Sequence, residues 1–246
     1  MALFSLHTGA VHQVEVGSWH THELTLARPL YPQLQPGDVL MGDSLFCTYA
    51  DIALLQGEGI DGVFHMHGAR TVDFRRGHKL GKDDHLVEWL KPRKGPNGMA
   101  PEHFAQLPDR LCMREVRYRV PHQGFRPKKI TLATTFLDPV AYPKEQLAAL
   151  FARRWEAELD PRHLKTTLGM ERLTTQTPEM ARKELMAHLL AYNLMRSVMW
   201  EAGQQYGVDP LRLSLQDTLR HLRHFLPELA HAPARKRHRL YDRLLL

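Results

Sequence analysis

Between Pro36 and His67 the chain has few ways to fold. Val39-Leu-Met-Gly42 is a short apolar run just after the Pro36-Gly37 break, of the length and composition of a buried strand, and Asp43 stands at its C-terminal end. A helical segment follows over about Tyr49 to Gly57, then a second strand-like run over Gly62 to His67. Such an alternation belongs to an α/β sheet, and in open α/β sheets ligands and catalytic groups gather at the C-terminal ends of the strands. Asp43 is therefore the first candidate functional residue. Upstream, Leu3 to Leu6 and Val11 to Val16 flank His7-Thr8-Gly9-Ala10, which predicts a β-hairpin with Gly at the turn. Ser18 or Thr21 is placed to cap a helix starting near His22, which Pro29 and Pro32 should shorten or kink.

From Ala69 the period changes. Thr71-Val-Asp-Phe74, Leu86-Val-Glu-Trp-Leu90, the run Met113 to Val120 and the run Lys129 to Leu137 mostly alternate at period two, between loops rich in Gly, Pro, Lys and Arg. Residues 69–138 thus read as an inserted antiparallel β-subdomain. Its basic loops, Arg75-Arg76, Lys91-Pro-Arg-Lys94 and Arg126-Pro-Lys-Lys129, are either solvated or in contact with phosphates. Tyr142-Pro143 opens a helix with an apolar face at Leu147, Leu150, Phe151 and Trp155, the last expected in the core. Thr177-Pro178 opens a second helix with a stop at Gly203, and residues 207–246 read as helical and basic. Arg235-Lys-Arg-His-Arg239 is either a DNA-binding tail or a soluble end. The organisation expected is a first core segment 1–68, the insertion 69–138, a helical second core segment 139–205 and a basic helical tail 206–246.

Charge and cysteine usage narrow the function classes. Lys plus Arg number 33 against 27 Asp plus Glu, a net +6, which favours a polyanionic partner. The two cysteines, Cys47 and Cys112, lie far apart without a CxxC, which argues against a disulfide framework or a zinc cluster and suits a reducing compartment. Nothing resembles a signal peptide, and the most apolar stretch, Leu185 to Met195, is too short and too interrupted by His188 and Asn193 to span a membrane. His20-Thr-His22-Glu23 is a metal cluster or, on the plainer reading, a polar helix N-terminus. His65 and His67 share one face of a strand, read as an edge placement, and Asp83-Asp84-His85 reads as loop.

The stretch from Phe151 to Lys165 sets Arg154, Glu158 and Lys165 at offsets of four and seven, which one helical face can carry. A lone carboxylate flanked by two cations suits a metal-binding acid beside groups that hold phosphates; the alternative is a solvated charged face. Pro161 would kink the helix and turn Lys165 away from the stripe.

The order Phe151-x2-Arg154-x3-Glu158-x6-Lys165 resembles the Tyr-x2-Arg-x3-Glu-x6-Lys motif of bacterial DDE transposases of the insertion sequence 4 type, with Phe in place of Tyr. Glu158 to Met170, Thr177 to Leu185, Ala191 to Arg196, and Pro36 to Phe46 around Asp43 also resemble that family, in the right order over roughly residues 1–200. The resemblance implies an α/β fold built on an RNase H-like core, here lacking its first strand, with a β insertion between the second Asp and the Glu. It implies that Asp43 and Glu158 are catalytic acids and metal ligands for Mg²⁺ or Mn²⁺, and that they meet across a sheet edge. Arg154 and Lys165 become contacts to DNA. The implied partners are transposon ends and target DNA, with a homo-oligomer formed on them, in the bacterial cytoplasm at the nucleoid. The family's first Asp has no counterpart, since no Asp precedes Asp38 and only Glu15 and Glu23 stand earlier. The expectation is a catalytically incomplete fragment that begins downstream of that Asp and, ending on Leu244-Leu245-Leu246, is also cut short. The alternative is a non-enzymatic DNA-binding or regulatory remnant.

Overall fold

The computed structural model describes residues 1–122, 125–154, 169–170 and 173–245. The chain divides into two compact units, Met1 with Gln13–Arg154, and Ala2–His12 with Trp155–Leu246. A hairpin of β1 (Ala2–Phe4) and β2 (Val11–Val14) opens the chain, turning at Gly9 as expected.

In the first unit, β3 (Val39–Gly42), β4 (Asp61–His65), β5 (His78–Gly81), β6 (Asp84–Leu90), β7 (Arg110–His122) and β8 (Phe125–Thr134) form one sheet in the order β3-β4-β8-β7-β6-β5. β3 and β4 are parallel, as a strand–helix–strand connection requires, and every other pair is antiparallel. The strands of segment 69–138 join β4 through β8 and extend the same sheet. Residues Thr71–Phe74 are not a strand: Asp73 turns back to bond Arg75, and Phe74 packs on His85 while the Arg117 guanidinium lies over its ring. The strand beyond β6 is β5 instead, at one of the two edges of the sheet.

Alternation along the strands divides the core in two. On one face Phe64, Trp89, Leu111, Met113 and Ala133 pack with Ile52 and Leu55 of α2 (Tyr49–Gly57) and with the short helix α1 (Glu23–Ala27). On the other, Val63, Val116, Ile130 and Leu132 pack with Leu147 and Phe151 of a later helix, Lys144–Ala152. Sheet residues one apart in sequence thus serve opposite cores, as the period of two demands. The cap of α1 is His22, whose Nδ1 accepts from the Leu24 N–H, while Ser18 and Thr21, expected as caps, bond each other. That leaves the His20–Glu23 cluster as a polar helix start. After β6 comes α3 (Pro101–Gln106), and the Lys144–Ala152 helix is α4, with Pro143 as its N-cap, one position before the one expected.

In the second unit, α5 (Pro178–Tyr206) runs through Gly203, where a stop was expected, and ends at Gly207, whose φ of 66° is the left-handed cap that glycine accommodates. Thr177 caps its start by accepting from the Met180 N–H. Asn193 of α5 brackets Val11, accepting from its N–H and donating to its carbonyl, both at 2.9 Å. Tyr192 donates to the Gly9 carbonyl at 2.7 Å. Two amphipathic helices, α6 (Leu215–His231) and α7 (Ala234–Leu245), complete the unit. None of the helices among the described residues is long and apolar enough to cross a membrane.

Candidate functional site at the C-terminal end of the parallel strands

β3 ends at Gly42, where a Cβ would lie 2.9 Å from the Phe46 side chain and 3.0 Å from the Phe64 ring. Asp43 follows at once and makes an Asx-type turn: its Oδ1 accepts from the Leu45 N–H at 2.8 Å and its backbone carbonyl from the Phe46 N–H at 3.2 Å. The Asp43 side chain is exposed. An ionised carboxylate tied by one oxygen in a turn retains lone pairs for a hard cation, the oxygen chemistry that Mg²⁺ and Mn²⁺ prefer.

Register shows what stands beside it. Gly42 pairs with Phe64, so the next position along, Asp43, comes level with His65. His65 shares the sheet face of Val63, and its ring lies 6.4 Å from that of Phe151. On the same face, Tyr118 of β7 and Met41 of β3 pack against the cluster that holds Phe151. Burial pushes the Tyr118 phenol above its ordinary range, and the Arg154 guanidinium pulls it partly back. That guanidinium lies 5.2 Å from the Phe151 ring centre. One end of the sheet thus gathers Asp43, His65, Tyr118 and Arg154. The motif's first aromatic, Phe151, is a buried packing residue that fixes the end of α4 against this site.

The entry into α4 is fixed as firmly. Arg114 is fully buried on β7, paired with Asp84 at 2.6 Å, and donates to the carbonyls of Asp138 and Tyr142. That one side chain clamps the turn before α4 to the sheet, and so sets where Phe151 and Arg154 arrive. Asp84 and His85, read from sequence as loop, are buried members of β6; their polar character comes from partners on opposite faces of the sheet, Arg114 for Asp84 and Glu115 for His85. His65 is likewise not an edge residue, because β4 lies between β3 and β8. His67 is outside the strand, its Nδ1 accepting from the Ala69 N–H.

Of the four residues chosen from sequence, Asp43 and Arg154 stand at this sheet end, while Glu158 and Lys165 lie outside the described residues, as does Trp155. Among the described residues no three His, Cys, Asp or Glu side chains converge as a metal cage. The fold also brings His65 and Tyr118 to this end of the sheet; the sequence reading placed His65 at an edge and did not single out Tyr118. Their signal in the sequence was faint: His65 comes beside Asp43 only through the strand register, and Tyr118 comes near Arg154 only through the packing of α4 on the sheet.

Residues 1–194 match the family described as Transposase DDE domain. The chain belongs to the DDE transposase family. It is 30% identical over 215 residues to Transposase InsG for insertion sequence element IS4 of Escherichia coli (strain K12), an alignment taking in 82% of this chain and 44% of that protein. The chain therefore spans less than half the length of the curated relative it matches. No solved structure matches it. As a DDE transposase domain it has the mixed α/β sheet with flanking helices expected of it, and Asp43 lies inside the matched region.

Proposed function

We propose that this domain acts in the transposition of insertion-element DNA by metal-dependent phosphoryl transfer, on an RNase H-like core into which the strands of residues 69–138 are inserted. In this reading Asp43 and Glu158 are the second and third acids of the metal site, and Arg154 and Lys165 hold phosphates of the element end. A bound pair of Mg²⁺ or Mn²⁺ ions would activate a water or 3′-hydroxyl and stabilise the leaving oxygen. The chain's own contribution is to hold an exposed carboxylate at a rigid strand end, with a half-buried guanidinium on the same end of the sheet to meet phosphate. The observation that carries the reading is the position of Asp43 at the C-terminal end of a parallel strand pair, beside His65, whose ring lies 6.4 Å from that of Phe151 in the helix that precedes Glu158 in the chain.

The 246 residues supply two of the three acids, so we expect them not to cut or join DNA alone. A second reading rests on that same shortfall: the chain binds element DNA without cleaving it and interferes with an intact transposase oligomer. Assembly into a homo-oligomer on DNA at the nucleoid belongs to either version. The test is incubation of the purified chain with element-end duplex and Mg²⁺ or Mn²⁺. No strand transfer, with retained duplex binding that Arg154→Ala weakens more for element ends than for random duplex, is the expected result. Metal-dependent transfer abolished by Asp43→Ala would mean that another acid completes the site. A folded chain that binds no DNA even at low salt would refute both versions.

A further inference from the structure

β7 and β8 outrun the sheet that holds them. β6 pairs with β7 only as far as Asp84↔Val116, closed by the Arg117 N–H to the Asp83 carbonyl, and β4 leaves β8 after His65↔Leu132, closed by the Met66 N–H to the Thr131 carbonyl. Beyond those points, from Arg117 to Thr131, the two strands pair only with each other among the described residues, as far as His122↔Phe125. They form a two-stranded ribbon. It springs from the end of the sheet where β4 finishes, the end that carries Asp43.

Residues 117–131 contain Arg117, Arg119, Arg126, Lys128 and Lys129 and not one Asp or Glu. Arg119 and Lys129 are both exposed and lie directly opposite each other in the register. Like charges at a cross-strand pair are destabilising on their own. No hydrogen bond or ion pair holds either head group among the described residues. Arg117 is on the same face, its Nε donating to Thr131 Oγ1 at 3.0 Å. An adjoining open cleft of about 660 Å³ adds Lys82 and Lys144 to Arg117 and Arg119, against Asp83 and Glu145. Pro121 and Pro127 lie within the two strands and offer no N–H, which discourages a further strand from adding to either edge.

We propose that this ribbon is a DNA-gripping arm, whose face bearing Arg117, Arg119 and Lys129 lies along the phosphates of the duplex that reaches the Asp43 end. A two-stranded ribbon is narrow enough to follow or enter a major groove. The phosphates supply the negative charge that the Arg119–Lys129 pair lacks. The inference rests on the DNA-transposition reading and names a surface for it outside the catalytic motif.

The test compares Arg119→Glu with Arg110→Glu in the full chain, on a fluorescent duplex of random sequence across a salt series. Arg110 lies at the other end of β7, exposed and paired with Glu88, so both variants change net charge equally. For Arg119→Glu we expect affinity to fall about tenfold or more at low salt, and the slope of log K against log salt to shrink by about one, the value of one lost phosphate contact. Its melting temperature should equal or exceed that of the wild type, because the substitution sets a carboxylate opposite Lys129 in place of a second cation; a folding defect is thereby separated from a binding defect. Arg110→Glu should leave the slope unchanged. Equal losses in the two variants, or no loss in Arg119→Glu while the wild type binds, would overturn the arm but leave the transposase reading standing. A wild type that binds no duplex would overturn both.

Discussion

The sheet unit contains two kinds of acid. Asp51, Asp84 and Glu115 are buried, and each is met by partners on every side. Asp51 takes the Arg28 guanidinium, the Tyr31 phenol and the Thr48 hydroxyl. Asp84 takes both prongs of Arg114. Glu115 takes the Trp89 indole N–H and His85, each at 2.8 Å. Asp43 is exposed and gives one oxygen to its own turn. A buried charge must be saturated with donors to be tolerated, and saturation leaves nothing to bind a ligand. Saturated acids therefore serve the fold, whereas Asp43 keeps the free lone pairs that the proposed metal site requires. The effect on the rest of the structure makes the same division: burial of the Tyr31 phenol, assisted by Asp51, holds it well above its ordinary range.

Among the buried acids, Asp84 depends most on one partner, Arg114. Arg114→Ala leaves Asp84 buried and unpaired and releases the carbonyls of Asp138 and Tyr142, so a loss of about 3–5 kcal/mol is expected. Urea unfolding checks this. A loss under about 1 kcal/mol, the range of an exposed pair, would show that the site is wetter than its geometry says. Glu115→Gln comes next, at about 1–3 kcal/mol. The Arg76 carbonyl accepts from His85 Nδ1, which must carry a hydrogen, so one further proton is held between His85 Nε2 and Glu115. The amide oxygen can keep the Trp89 bond and its NH2 can donate to Nε2 of a neutral His85, but the charge of the shared-proton pair is lost. If Glu115→Gln unfolds at the wild-type midpoint, Glu115 is no structural acid.

What the sequence disclosed follows the same line. The strand at Val39–Gly42 and the helix at Tyr49–Gly57 were legible to the residue, because each is set by local pattern and punctuation. The place of Asp43 just after β3 was legible because it ends an apolar run. Asp84 and His85 were not, since a polar cluster beside Gly81 and Lys82 looks like loop until Arg114 and Glu115, about thirty residues away, cross to meet them. Thr71–Phe74 alternates like a strand, but Asp73 bonds locally and Phe74 packs on a neighbour. His65 looked like an edge residue because nothing local shows that β8 will cover the side of β4 away from β3. Pairings set at a distance decided Asp84, His85 and His65, and composition carries no trace of them.

Asp43→Asn tests the other member of the comparison. The amide oxygen can still accept from the Leu45 N–H, so stability should stay within about 0.5 kcal/mol of wild type, as for a surface change. The same urea titration serves as the readout. If this variant unfolds as readily as Glu115→Gln, Asp43 is a fourth structural acid, and its assignment to chemistry loses its physical ground.

The smallest effect belongs to Asp73, which lies between the two kinds: an exposed-side acid that is nonetheless ion-paired. Hydrogen bonds from the Arg75 side chain and backbone, and then the charges of Arg75 and Arg76, hold its carboxyl down at about 2, against an ordinary 3.8. A depressed folded value means the unfolded chain binds the proton more readily, so ionised Asp73 favours the folded loop above about pH 4. That contribution is lost as pH falls from there through about 2. Because both guanidiniums are mostly exposed, salt should shrink it. Following the Asp73 carboxyl carbon by NMR from pH 5 to pH 1.5 should show a midpoint near 2 at low salt, rising toward the ordinary value in high salt. In Arg75→Ala the midpoint should rise at any salt concentration. A midpoint near 3.8 in the wild type would place Asp73 with freely solvated acids, and the division between saturated and unsaturated acids would then stand without an intermediate case.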